Sequence, residues 1–85
     1  MKPSNNDKRM KPEMIKQSFR AQFGYRLREC RKRQRFTQTQ LGKEIEITNT
    51  TIGQWEKGTY LPTLEHFSRL LKVLDVKPEA LLPPI

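Results

Sequence analysis

Residues 1–35 carry 12 Lys and Arg against 3 Asp and Glu, whereas residues 36–85 carry 5 against 6. A block of one sign this dense suits a polyanion, because each phosphate it contacts releases condensed counterion and gains affinity at low salt. The plainer reading is a solvated, solubilising tail. Other chemistry is thinly supplied. Cys30 is the only cysteine, so neither an intrachain disulfide nor a cysteine-based metal set can form. His66 is the only histidine, which excludes a His-pair zinc site and leaves a Ser-His-Asp arrangement without a suitable constellation around it. With no carboxylate cluster or nucleophile–base pairing standing out, catalysis, a metal and a cofactor are not expected. No run approaches the ~18 apolar residues of a membrane span, and no apolar signal stretch opens the chain. A cytoplasmic setting follows.

The elements that must position this charge are helices. The chain has 85 residues and a formal net charge of +8, which makes it one small domain whose core needs three or more helices to bury enough apolar surface. Residues 36–62, FTQTQLGKEIEITNTTIGQWEKGTYLP, read as two short amphipathic helices across a tight turn: Leu41 and Ile45 fall four apart, and Ile47 leads into Ile52 and Trp55. Thr37 with Gln40 forms a capping box that starts the first of them. Thr48 repeats the N-cap, and Lys57-Gly58 supplies the C-terminal stop, so the second runs from about Asn49 to Lys57. Upstream, Ser18 is expected to cap a helix in which Phe19, Phe23, Leu27 and Cys30 form the core stripe. Thr63 caps a fourth helix, with Leu64, Phe67, Leu71 and Leu74 in its stripe and Leu70 widening it. Lys77-Pro78-Glu79 opens a short fifth helix with proline at its first position, ended by Pro83-Pro84. Residues 1–17 read as a flexible basic arm from which Met14 and Ile15 could still dock, 18–82 as the folded domain and 83–85 as a tail.

The stretches LRECRK at 27–32, TQTQLGKEI at 37–45, ITNTTIGQWEKG at 47–58, Pro62 and LEHFSRLLKVLDV at 64–76 occur in an order and spacing that resemble the helix-turn-helix domain of the Cro and lambda-repressor type, found in phage and bacterial transcriptional regulators. The resemblance covers about Tyr25 to Leu82 and implies an all-α, five-helix fold. It departs at Glu46, where the family's turn usually carries glycine; a left-handed glutamate there costs roughly 1 kcal/mol.

The resemblance also implies roles. The helix after Thr48 would enter the major groove, which is about 12 Å wide and admits one helix. Its base-reading positions fall on Asn49, Thr50 and Gln54, amide and hydroxyl side chains suited to an A/T-containing half-site. Thr37 and Gln38 stand where a helix N-terminus attracts phosphate, Gln38 also bracing a recognition-helix side chain. Arg31 and Glu56 would form a salt bridge that ties the first helix to the recognition helix, the arginine also approaching phosphate. Lys43, Lys57, Thr59 and Tyr60 lie where the family's loop nears the backbone. Thr51 and Gly53 are assigned to close helix packing and solvent exposure, Trp55 to the core and His66 to a solvent-facing helix surface. The expected function is sequence-specific binding of double-stranded DNA in transcriptional repression, as a homodimer on DNA at the nucleoid. Leu81, Leu82 and Ile85 either form a small apolar contact, cap the core or mark a cut before a further domain. An antitoxin or controller protein with a protein partner, a protein-binding adaptor and a nuclease remain as alternatives.

Overall fold

The computed structural model describes residues 12–84, with side chains from residue 19 onward, and its described residues form five helices: α1 (Pro12–Arg33), α2 (Gln38–Ile45), α3 (Asn49–Lys57), α4 (Leu64–Leu74) and α5 (Pro78–Leu81). The all-α, five-helix expectation is met. Residues 1–11 and Ile85, on which most of the arm and the end of the tail fall, lie outside the described residues.

Threonine starts three of the helices. Thr37, Thr48 and Thr63 each hold an extended backbone and accept the N–H of the residue three further on, Gln40, Thr51 and His66. At Thr37 the box closes both ways, since Gln40 Oε1 accepts the Thr37 N–H at 2.8 Å. These bonds satisfy donors that a helix start otherwise leaves without partners. The first helix differs from expectation: it begins at Pro12, so Ser18 lies inside it and not at its start. Proline at the first helical position has its φ already set and lacks only a donor the helix could not use.

The core forms where the apolar stripes converge. Phe23, Leu27 and Cys30 of α1 meet Leu41 and Ile45 of α2, Ile52 and Trp55 of α3, Leu70 and Leu74 of α4 and Leu81 of α5, all buried. Phe67 lies tilted on Phe23 with ring centroids 6.2 Å apart. Leu64 departs from its expected stripe, with 85% of its surface exposed. It points to the same side of α4 as Leu71, seven residues on, but stands at the first position of the helix, past the end of the core. Leu81 caps the core, whereas Leu82 is exposed.

Three chain reversals use left-handed residues that are not glycine: Arg35 (φ 64°), Glu46 (φ 63°) and Asp75 (φ 56°). Glu46 closes α2, donating its N–H to Gly42 O. Glu46→Gly is expected to add about 1 kcal/mol of stability by removing the Cβ penalty. The measurement is the urea midpoint at constant slope; an unmoved midpoint would mean that no strain resides there.

Candidate nucleic-acid interface

α3 is held on one side and open on the other. Ile52 and Trp55 are buried, and the His66 ring lies 5.7 Å from that of Trp55. His66 is therefore half-buried against an aromatic rather than solvent-facing, with Nδ1 3.2 Å from Thr63 Oγ1. On the other side Thr48, Asn49, Thr50 and Lys57 are exposed, and Gln54 is half-exposed. The Thr48 hydroxyl is engaged in its cap and lies 3.0 Å from Thr51 Oγ1. Asn49, Thr50 and Gln54 thus present donor and acceptor groups together from a helix only nine residues long.

A polar lock sets the direction of that helix. Arg31 donates Nε to Glu56 Oε2 at 2.6 Å and Nη2 to Glu56 Oε1 at 3.1 Å, and its Nη1 donates to Phe36 O at 2.8 Å. Gln38 Nε2 adds a third donor to Glu56, 3.1 Å from Oε1. Side chains from α1, α2 and α3 therefore converge on one carboxylate. The Arg31 and Glu56 side chains are only 10% and 5% exposed, so this is not the solvent-exposed pair, worth about 0 to 1 kcal/mol, that a surface reading would give. Arg31 spends three of its N–H donors inside the fold, which leaves it mainly a positioning residue.

Close approach of backbones completes the arrangement. A Cβ at Gly24 of α1 would stand 2.3 Å from Glu56 O and 2.6 Å from Trp55 O. Only a glycine lets the two helices cross there. Sequence reasoning missed Gly24, although a glycine inside a helical stripe, which costs about 1 kcal/mol relative to alanine, was a signal of close packing. Gly53 differs, since a Cβ on it would meet only the Gln38 amide, at 3.6 Å.

The structure brings Gln38, Gly53, Glu56, Arg31 and Lys57 around one cleft, together with Arg28. Thr37 lies next to it as the cap of α2. Lys43, Thr59 and Tyr60 are exposed but do not line it. Among the described residues no group of three or more His, Cys, Asp or Glu could hold a metal ion. No helix among them is long and apolar enough to cross a membrane.

A capped helix, a left-handed turn and a second helix locked with one face outward define a helix-turn-helix domain. The chain belongs to the helix-turn-helix family, of the Cro and lambda-repressor type: residues 27–81 match the family's model. Over 60 residues it is 37% identical both to the HTH-type transcriptional regulator DicA of Escherichia coli K12 and to the repressor protein C2 of Salmonella phage P22. That segment is 71% of this chain but 44% and 28% of those two proteins, so the chain spans less than half the length of either. Among solved structures it is similar to the P22 c2 repressor in complex with a synthetic operator, with a TM-score of 0.67 over 71% of this chain and 91% of the repressor chain. The restriction-modification controller protein C.AhdI of Aeromonas hydrophila, 29% identical, gives a TM-score of 0.68 over 73% of this chain and 94% of its own.

Proposed function

We propose that this chain is the DNA-reading part of a sequence-specific transcriptional regulator, acting as a repressor. The observation that carries the reading is the outward face of α3: Asn49, Thr50 and Gln54 stand clear of the core on a helix whose opposite face is fixed by Ile52, Trp55 and the Arg31–Glu56–Gln38 lock. A helix so presented fits the major groove, its amides binding adenine N6 and N7 and the Thr50 methyl packing on thymine. Thr37, Gln38, Thr48, Lys43, Lys57, Thr59 and Tyr60 are the backbone contacts, and Arg31 sets the angle of approach. Kinship with a regulator and with a repressor solved on its operator supports this.

Two copies on DNA are part of the proposal. Leu61, Leu64 and Leu82 are exposed and line, with Phe19, Phe23 and Phe67, an apolar groove that shares no residue with the cleft beside α3. A second copy covering that groove would leave both α3 helices available. In this reading the domain acts on cytoplasmic, nucleoid DNA and performs no catalysis. Likeness to a controller protein favours one second reading, in which another surface also holds a protein partner.

Selection from a random duplex library at about 150 mM salt tests the main reading. An enriched inverted repeat with half-sites about 34 Å apart is expected. Binding that merely fades with salt, without enrichment, would replace it with a protein-binding adaptor. Gln54→Ala should cost about 1 to 3 kcal/mol on the selected site and relax preference at one base pair. Untouched preference would show that a different face of α3 reads the bases.

A further inference from the structure

One charged face of α1 is turned away from α3. Arg26, Glu29 and Arg33 lie two, five and nine residues beyond Gly24, so at about 100° per residue they stand half a turn round from the crossing with α3. They line an open groove of about 670 Å³ with Tyr25, which is 66% exposed, and with the small side chains of Cys30 and Ala80 where α1 meets α5. The three charges are uncommitted. Glu29 stands four residues before Arg33, the spacing at which a glutamate and a cation pair along a helix, yet it forms no ion pair with Arg33 or with Arg26. Arg26 reaches only the Glu79 carbonyl, Nη1 to O at 3.5 Å, a long contact that leaves its other donors unspent.

The order of these charges selects the class of partner. A carboxylate between two arginines repels the middle of any continuous row of negative charge, which disfavours a nucleic-acid backbone. A second copy is disfavoured too, because α1 carries seven Lys and Arg against two Glu and would face its own charge. Being open, the groove does not enclose a small molecule as ligand pockets do. Tyrosine and arginine are the side chains that anchor protein interfaces, and small residues between them let a second helix approach closely.

We propose that this face of α1 docks an acidic helix of a partner protein, one that offers two carboxylates seven residues apart to Arg26 and Arg33. It rests on the second reading above, in which another surface holds a protein partner, and is independent of what α3 reads. Two helices lying side by side match such a spacing, since seven residues span about 10 Å on either. Each arginine then meets a carboxylate with its planar fork of N–H donors. A partner here and DNA on α3 are held on opposite flanks of α1, so both fit at once.

The probe is a synthetic alanine-rich helix with Glu at positions i and i+7, titrated into the full, isotopically labelled chain and followed by backbone amide shifts in solution NMR. Shifts are expected at Tyr25, Arg26, Glu29, Arg33 and Ala80 and not along α3. A peptide with its two Glu on opposite faces should bind about tenfold more weakly. Arg26→Glu combined with Arg33→Glu should weaken binding of the first peptide by about tenfold or more, and replacing both Glu of that peptide with Lys should restore it. Arg28→Gln, on the flank of α1 that faces α3, should leave binding unchanged. Melting curves confirm that each variant is folded, none of the substituted side chains being buried. Equal binding of both peptides, or equal weakening by Arg28→Gln, would overturn the site in favour of diffuse attraction. Shifts centred on other residues would overturn the groove and leave the partner reading standing, whereas no shift with either peptide would overturn both. Displacement of the peptide by duplex DNA would assign the face to nucleic acid instead, and a change of oligomeric state in the doubly substituted variant would assign it to a second copy.

Discussion

Glu56→Ala is expected to destabilise the domain by about 3 kcal/mol, because it strands the Arg31 guanidinium in a site where only 10% of that side chain reaches water. The same change removes the partner of Gln38, so α1, α2 and α3 lose their common anchor at once. For a domain of this size the loss corresponds to a fall in melting temperature on the order of 15 °C. Two comparisons sharpen the expectation. Glu65→Ala breaks an i,i+4 pair with Arg69 of similar length, 2.9 Å, but both partners are well exposed, and its cost should stay below about 0.5 kcal/mol. Replacing both members of the buried pair, Arg31→Met with Glu56→Leu, should recover much of the loss, since the penalty comes from an uncompensated charge rather than from a missing attraction. A melting temperature for Glu56→Ala within a few degrees of the unaltered chain would show that Arg31 can swing into solvent and that the lock is dispensable.

Gly24→Ala should cost a similar amount, about 3 kcal/mol, for a steric reason. The added methyl would meet backbone atoms of Trp55 and Glu56 closer than 3 Å, and backbone cannot rotate aside as a side chain does. α1 and α3 would have to separate along their crossing, which disturbs the buried contacts of Trp55 and Ile52 as well. Gly53→Ala, also inside a helix, should do the opposite and gain up to about 1 kcal/mol from helix propensity, because its new methyl meets only ordinary van der Waals contact. Denaturant melts of the two alanine variants decide the matter: opposite shifts are expected, the loss at Gly24 larger than the gain at Gly53, and a neutral Gly24→Ala would mean that the two helices can move apart at little cost.

The parts of this fold that could be read in advance are those encoded over three or four neighbouring residues. Each threonine cap and the N–H that donates to it lie within one turn, so Thr37, Thr48 and Thr63 announce their helices without knowledge of any distant residue. Even the departure at Glu46 had a local meaning, since a two-helix turn of that length demands a left-handed residue whatever its side chain. The start of α1 lies ahead of its expected place because residues 12–17 carry no apolar periodicity for an amphipathic pattern to mark. Helix-forming residues after a well-placed proline need no such pattern. Leu64 departs from its stripe for a related reason: spacing gives the side of a helix on which a residue lies, but not whether the core extends far enough along the axis to meet it.

The site divides the same way. The outward face of α3 follows from its periodicity. The Arg31–Glu56 and Gln38–Glu56 contacts join residues 25 and 18 positions apart, a separation that no pattern of one chain reveals; family likeness implies the first pair by name and gives Gln38 only an unnamed side chain of the recognition helix.

Dissolved ions screen exposed charges within a Debye length of ~10 Å at 0.1 M, but they act far less on a pair as enclosed as Arg31 and Glu56. Rising ionic strength therefore loosens contacts at the surface of the molecule while the bond between its helices stays closed. The chain should leave a polyanion as an intact domain and return unchanged when the medium is diluted. In the proposed reading, salt would release this molecule from DNA without unfolding it.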